Sequence, residues 1–295
     1  MAIDVVDIVC DAFPGEAVHV YHEIVHNRHV VERFRLRGVR FVELIDEVPE
    51  GGIVVFSAHG VSPAVREAAR ARRLTAIDAT CPLVTKVHAE CARYARQGYQ
   101  ILLVGHRDHQ EVIGTMGEAP DAVQVVESPA DIPGLSIADP QRLVYLTQTT
   151  LSTDDAGVII DALRRAFPAI KAPPSEDICY ATTNRQHAVR QLAPMCDLVL
   201  VIGSKNSSNS VRLTEISRNV GTPAHLLDDA TEIDAAWFPT GRETVLVTAG
   251  ASAPEDLVAT LCRTLVERFG AKLEQHEVFD ENVEFALPAS LRREM

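Results

Sequence analysis

Apolar positions along the chain follow two patterns: a helical period of 3.6 residues, and short unbroken runs flanked by glycine, proline or small polar residues. Ile3, Val5, Val6, Ile8 and Val9 recur at helical spacing and predict a helix over residues 2–12, ended by Pro14 and Gly15. A strand over 17–21 runs into His22-Glu23-Ile24-Val25-His26-Asn27, and a helix follows through Val30 to Arg37, stopped by Gly38. Strands are predicted at 39–44 and 53–56, with a helix from Pro63 to about Arg73. The same order then returns. A second pass has a helix over 83–97, a strand at 101–104, a helix or turn, strands at 123–126 and 143–146, and a helix at 153–166. Pro168, Pro173 and Pro174 mark a linker. The third pass has helix 184–193, strand 198–202, helix 211–219, strands 224–227 and 244–248, and helix 255–268. Residues 271–295 read as a polar tail with one short strand-like run. Strands that alternate with helices of this length build mostly parallel sheets covered by helices, so the expected fold class is α/β.

Two cysteines occupy equivalent places in this series. Cys81 lies in Asp78-Ala79-Thr80-Cys81-Pro82-Leu83-Val84-Thr85, and Cys179 in Asp177-Ile178-Cys179-Tyr180-Ala181-Thr182-Thr183-Asn184. From Cys81 to Gly105 is 24 residues, and so is the step from Cys179 to Gly203, each glycine closing an apolar strand. A constant offset marks duplicated units. The chain divides accordingly into three pseudo-equivalent α/β units at 1–79, 80–177 and 178–270, with the tail at 271–295. His22 stands in the first unit where His106 and Ser204 stand in the others, and counting back by the same interval passes Met1. By its own repeat the chain lacks a third cysteine and the strand leading to it. Two equivalent thiols with a third place in the pattern suggest a three-thiolate centre: an iron–sulfur cluster with one open iron, or a zinc with one open site. Cys10, Cys91, Cys196 and Cys262 read as packing residues.

Polar residues gather in the loops after the strands, where ligands bind in parallel sheets. One set is His22 to His26, His106 to Glu111 and Ser204 to Ser210; the other is Ser57 to Gly60, Thr147 to Thr150 and Ala249 to Ser252. Small hydroxyl and amide donors with imidazoles suit phosphate oxygens. Neither a Walker loop nor a Gly-x-Gly-x-x-Gly fingerprint is present. The formal charge of −13 argues against nucleic acid or an anionic membrane as partner. No apolar run reaches the roughly 18–20 residues of a transmembrane helix, and no signal peptide is evident. The expected compartment is the cytoplasm, where six cysteines are not expected to form a disulfide framework.

Eight segments in one order resemble 4-hydroxy-3-methylbut-2-enyl diphosphate reductase. They are His22 to Arg28, Phe56 to Ser62, Asp78 to His88, Gly114 to Gly117, Thr147 to Ser152, Ile178 to Gln186, Gly203 to Ser210 and Thr248 to Pro254. The resemblance runs from about Ala2 to Pro288. It implies a trefoil of three α/β units around a central 4Fe-4S cluster. It implies reductive removal of the allylic hydroxyl of the substrate, giving isopentenyl and dimethylallyl diphosphate, the last step of the non-mevalonate isoprenoid pathway. The family's cluster cysteines map onto Cys81 and Cys179, its substrate-binding histidines onto His26, His59 and His109, and its acid onto Glu111. Its diphosphate and hydroxyl contacts map onto Thr149, Ser207, Ser208, Asn209 and Ser252, with Thr149 also placed to relay a proton. An electron donor such as ferredoxin or flavodoxin is the implied partner. The departure lies at the N-terminus, where the family has a strand and a Gly-Phe-Cys-Ala-Gly turn: the chain resembles an N-terminally truncated member without the third cysteine ligand. Two competing readings follow, a catalytically inactive diphosphate-binding homologue with an incomplete cluster, and a zinc hydrolase using cysteine and histidine ligands.

Overall fold

The computed structural model describes residues 1–281, 283, 285–288 and 291. It is an α/β structure with three parallel sheets. Helices are α1 (Ala2–Ala12), α2 (Arg28–Leu36), α3 (Pro63–Ala71), α4 (Pro82–Arg96), α5 (Gln110–Met116), α6 (Thr153–Ala166), α7 (Tyr180–Leu192), α8 (Ser208–Asn219) and α9 (Glu255–Phe269). Strands are β1 (Val18–Tyr21), β2 (Arg40–Val42), β3 (Ile53–Phe56), β4 (Thr75–Asp78), β5 (Gln100–Val104), β6 (Val123–Val126), β7 (Leu143–Thr147), β8 (Leu198–Ile202), β9 (Ala224–Leu227) and β10 (Val245–Ala249).

The chain forms two compact units: residues 1–25, 31–179 and 284–295, and residues 26–30 with 180–283. The first holds two sheets, in the orders β2-β1-β3-β4 and β6-β5-β7. Every pairing is parallel, which puts all strand ends of one kind on one side. The central strands read as unbroken apolar runs because helices cover both faces of a parallel sheet. Accordingly Ile53 to Phe56 in β3 and Ile101 to Val104 in β5 are buried throughout. β4 adds a fourth strand beside β3. In the second sheet the run leading to Cys179 contributes one parallel bridge, Lys171 to Val144. Each cysteine is thus delivered by chain lying along the edge of the preceding sheet.

The second unit carries the sheet β10-β8-β9, again all parallel, with β8 fully buried between α8 on one face and α9 on the other. β10 is an edge strand and half-buried along its whole length.

Two helix starts differ from the sequence reading. α7 begins at Tyr180 rather than 184, directly after Cys179. Thr182 and Thr183 are weak helix formers and no proline announces the start as Pro82 does for α4, so packing sets this boundary. α8 begins at Ser208 rather than 211, because the Ser207 hydroxyl caps it by accepting from the Ser210 N–H. In the tail, the expected strand-like run forms no strand among the described residues.

Candidate active site

In the first unit both cysteines are tied to strand-end loops in the same way. The Cys81 N–H donates to the Ala58 carbonyl at 3.0 Å, after β3, and the Cys179 N–H to the Thr149 carbonyl at 3.0 Å, after β7. Cys81 is the N-cap of α4. Burial pushes its thiol up; the Leu83 and Val84 N–H groups at the helix start pull the other way, while negative charge at Cys179 and Glu111 adds to the rise. A thiol so placed keeps its proton unless a cation takes up the charge. That Cys179 acts on Cys81 at all places the two as electrostatic neighbours. A cavity of about 300 Å³ opens beside Cys81, lined by Met1, Thr80, Pro82 and Thr85 among others. Among the described residues no group of three or more His, Cys, Asp and Glu side chains is arranged to hold a metal ion.

Glu111 lies in the first turn of α5 and is only 2% exposed. The helix is capped by His109, whose Nδ1 accepts the Glu111 N–H at 3.2 Å. The Glu111 carboxylate accepts from the Thr149 N–H at 2.6 Å and from its hydroxyl at 3.0 Å. Burial raises its pKa to about 7, against both Thr149 hydrogen bonds, and Asp177 adds to the rise. His59 and His109 meet edge to face, ring centroids 5.7 Å apart. The structure therefore brings Cys81, Cys179, His59, His109, Glu111 and Thr149 into one compact unit.

Sequence reasoning passed over two supports of this arrangement. Lys86 Nζ, on α4, donates to the Ser175 carbonyl at 2.9 Å, the Glu176 carbonyl at 2.9 Å and Asp177 Oδ1 at 3.1 Å. The other Asp177 oxygen accepts the Thr147 N–H at 3.0 Å. This ion pair ties the helix after Cys81 to the segment before Cys179. Gln148 accepts the His106 N–H at 3.0 Å and donates to the Thr150 hydroxyl at 2.9 Å, joining the loops after β5 and β7. His106 itself is exposed, and His22 pairs with Glu43 at 2.7 Å.

The second unit holds His26, Ser207, Ser208, Asn209 and Ser252. Ser207 caps α8, and Ser208 and Asn209 form the first turn of that helix, where exposed N–H groups and the helix dipole favour an anion. The Ser252 hydroxyl donates to the His26 carbonyl at 3.0 Å, and Ser204 Oγ accepts the Arg28 N–H at 3.0 Å. Asn209 is 4% exposed, yet neither its Nδ2 nor its Oδ1 finds a hydrogen-bond partner. A buried amide with both ends unmet is costly, by roughly 1–3 kcal/mol per group, and is expected where a ligand completes the bonding.

Ser210 is fully buried between two strand ends. A Cβ at Gly250 would fall 1.9 Å from Ser210 Oγ, and one at Gly203 only 2.1 Å. Ser210 also donates to Ser207 Oγ at 3.0 Å, so it has little freedom to give way. Gly250→Ala is expected to cost about 1–3 kcal/mol in urea denaturation by overpacking. It should weaken pyrophosphate binding as well, since Ser207 is displaced with Ser210.

The family model for LytB protein matches residues 1–266. The chain belongs to the LytB family. It is 53% identical over 292 residues to a 4-hydroxy-3-methylbut-2-enyl diphosphate reductase of Rhodopirellula baltica, covering 99% of this chain and 91% of that one. It is also 53% identical over 295 residues to the enzyme of that name from Alcanivorax borkumensis, covering 99% and 94%. Among solved structures, the E-1-hydroxy-2-methyl-but-2-enyl-4-diphosphate reductase of Plasmodium falciparum matches with TM-score 0.93 at 37% identity, over 99% of this chain and 92% of that one. This LytB chain is thus an enzyme of the reductase class, and its three parallel sheets agree with the fold of those structures. Among the described residues no helix is long and apolar enough to cross a membrane.

Proposed function

We propose that the chain removes the allylic hydroxyl of 4-hydroxy-3-methylbut-2-enyl diphosphate with two electrons and two protons, releasing water and giving isopentenyl and dimethylallyl diphosphate. The observation that carries this reading is Glu111, a buried carboxyl that holds its proton up to about pH 7 in the same compact unit as Cys81 and Cys179. Loss of hydroxide from carbon needs a proton donor for the leaving oxygen, and a carboxyl with a pKa near the working pH serves best. Glu111 gives that proton, and the Thr149 hydroxyl, already bonded to it, passes it on. His59 and His109 contact the substrate. His26, Ser207, Ser208, Asn209 and Ser252 hold the diphosphate, and binding that handle orients the reacting end.

Cys81 and Cys179 would hold an iron–sulfur cluster, which when bound supplies the electrons and a Lewis-acidic iron. They provide two thiolates; a cluster with one open iron takes three, and no third ligand joins them among the described residues. The electron donor is a small redox protein of the ferredoxin or flavodoxin kind, and the cytoplasm is the compartment that suits it.

The test is anaerobic reconstitution of the chain with iron and sulfide, followed by turnover with a reduced viologen dye. Both isomeric diphosphates are expected by mass spectrometry. Pyrophosphate binding with no product from a fully reconstituted sample would instead support a diphosphate-binding homologue without catalysis. Hydrolysis without reductant, dependent on zinc, would sink the reductase reading.

A further inference from the structure

Asn27 closes the loop after β1 and is 1% exposed. Its Oδ1 accepts the Val30 N–H at 3.1 Å, the bond of an N-cap to the first turn of α2. Its Nδ2 is buried and finds no acceptor among the described residues. Capping alone does not call for an amide. Aspartate and serine cap a helix as well and leave no buried N–H₂ unmet.

The neighbours of Asn27 narrow the purpose of that amide. The His26 carbonyl accepts the Ser252 hydroxyl, and the Arg28 N–H donates to Ser204, whose own hydroxyl donates to Asp228 at 2.6 Å. The residues on either side of Asn27 are thus bonded to the loops after β10 and β8. Asn209, in the first turn after the second of those loops, is the other buried side-chain amide among the described residues whose N–H₂ is unmet. Two such orphaned donors, on loops cross-bonded within one compact unit, indicate an acceptor-rich ligand common to both.

We propose that Asn27 Nδ2 is a further donor to the substrate's diphosphate, beside Asn209. The inference rests on the diphosphate reading of the loops above. Asparagine rather than aspartate then has a reason: a carboxylate would cap α2 equally and repel the anion.

Titration of the whole chain with inorganic pyrophosphate tests this without any need for turnover. Asn27→Asp keeps the cap acceptor and replaces the donor by a negative charge. Affinity is expected to weaken by about ten- to a hundred-fold, the loss of one bond to a charged acceptor, while the buried carboxylate lowers the melting temperature. Asn27→Ala loses cap and donor together and should melt earlier as well. Ser207→Ala serves as the reference for the phosphate loop. If Ser207→Ala weakens binding and Asn27→Asp binds like wild type, the role of Asn27 is refuted and the loop reading stands. If wild type does not bind pyrophosphate, both fall. Should Asn27→Asp fail to fold, Asn27→Ser, which also caps, takes its place with the same expectation of weaker binding.

Discussion

Glu111→Gln lowers turnover by about 10²- to 10⁴-fold, the range for removing a positioned general acid. Glutamine keeps the size of the side chain and an oxygen for the Thr149 N–H, so pyrophosphate binding should stay at the wild-type value. The pH dependence follows from the raised pKa. In the fold the Glu111 carboxyl titrates at about 7, because it is buried and Asp177 lies nearby. Other groups acting on or bonded to this residue are Cys81, His109 and Thr149. The acid is present below about pH 7, so wild-type turnover falls as pH rises through that value, and the residual Glu111→Gln turnover lacks this limb. Stability moves in the matching direction. A carboxyl with a folded pKa above its unfolded value of about 4.3 contributes stability that is full below the unfolded value and lost as pH rises through about 7. Wild type above pH 7 carries a buried charge that glutamine does not. Glu111→Gln should therefore be the more stable protein at pH 8, by about 3 kcal/mol, and by only about 1 kcal/mol at pH 5. Paired urea denaturations at the two pH values check this; equal stabilities at pH 8 would mean that Glu111 is not a proton-holding buried acid.

Lys86→Met is expected to cost about 2–4 kcal/mol of stability. Its ammonium satisfies three acceptors, among them Asp177, whose side chain is fully buried. Burial already raises the Asp177 pKa, against the Thr147 N–H and Lys86. Removing one partner of a buried pair leaves the other charge without compensation, which costs far more than the pair contributes in place. Methionine keeps most of the apolar stem, so lost packing is a small part of the effect. Hydrogen exchange should localise the damage: the Thr147 and Cys179 amides speed up, and the Val199 amide, in the other compact unit, does not. Lys86→Arg, still cationic, should recover part of the loss. A methionine variant as stable as wild type would show that Asp177 is held by its other contacts alone.

The order of elements could be read from the chain because periodicity is local. A run such as Leu198 to Ile202 is a buried parallel strand wherever it lies, and Pro63 opens a helix by its own fixed backbone angle. The equal spacing of Cys81 and Cys179 also needs no coordinates, since duplicated units keep their offsets. The loops that carry Glu111, Thr149 and Ser207 stood out because polar residues after apolar strands have few structural reasons to be there.

Contacts between distant residues could not be read this way. Lys86 looks like any helix-surface lysine until Asp177, 91 positions on, comes to lie against it. Asn27 and Asn209 look like ordinary loop amides until burial leaves their N–H₂ groups unmet. His22 and His106 share one offset with Ser204 in the repeat, yet one bonds to Glu43 and the other faces solvent. Local pattern carries the period of the backbone, and so it identified strands, helices and the thiols at their ends. Burial and charge pairing depend on which far-off segment fills the space alongside, and that is settled when the sheets and helices pack.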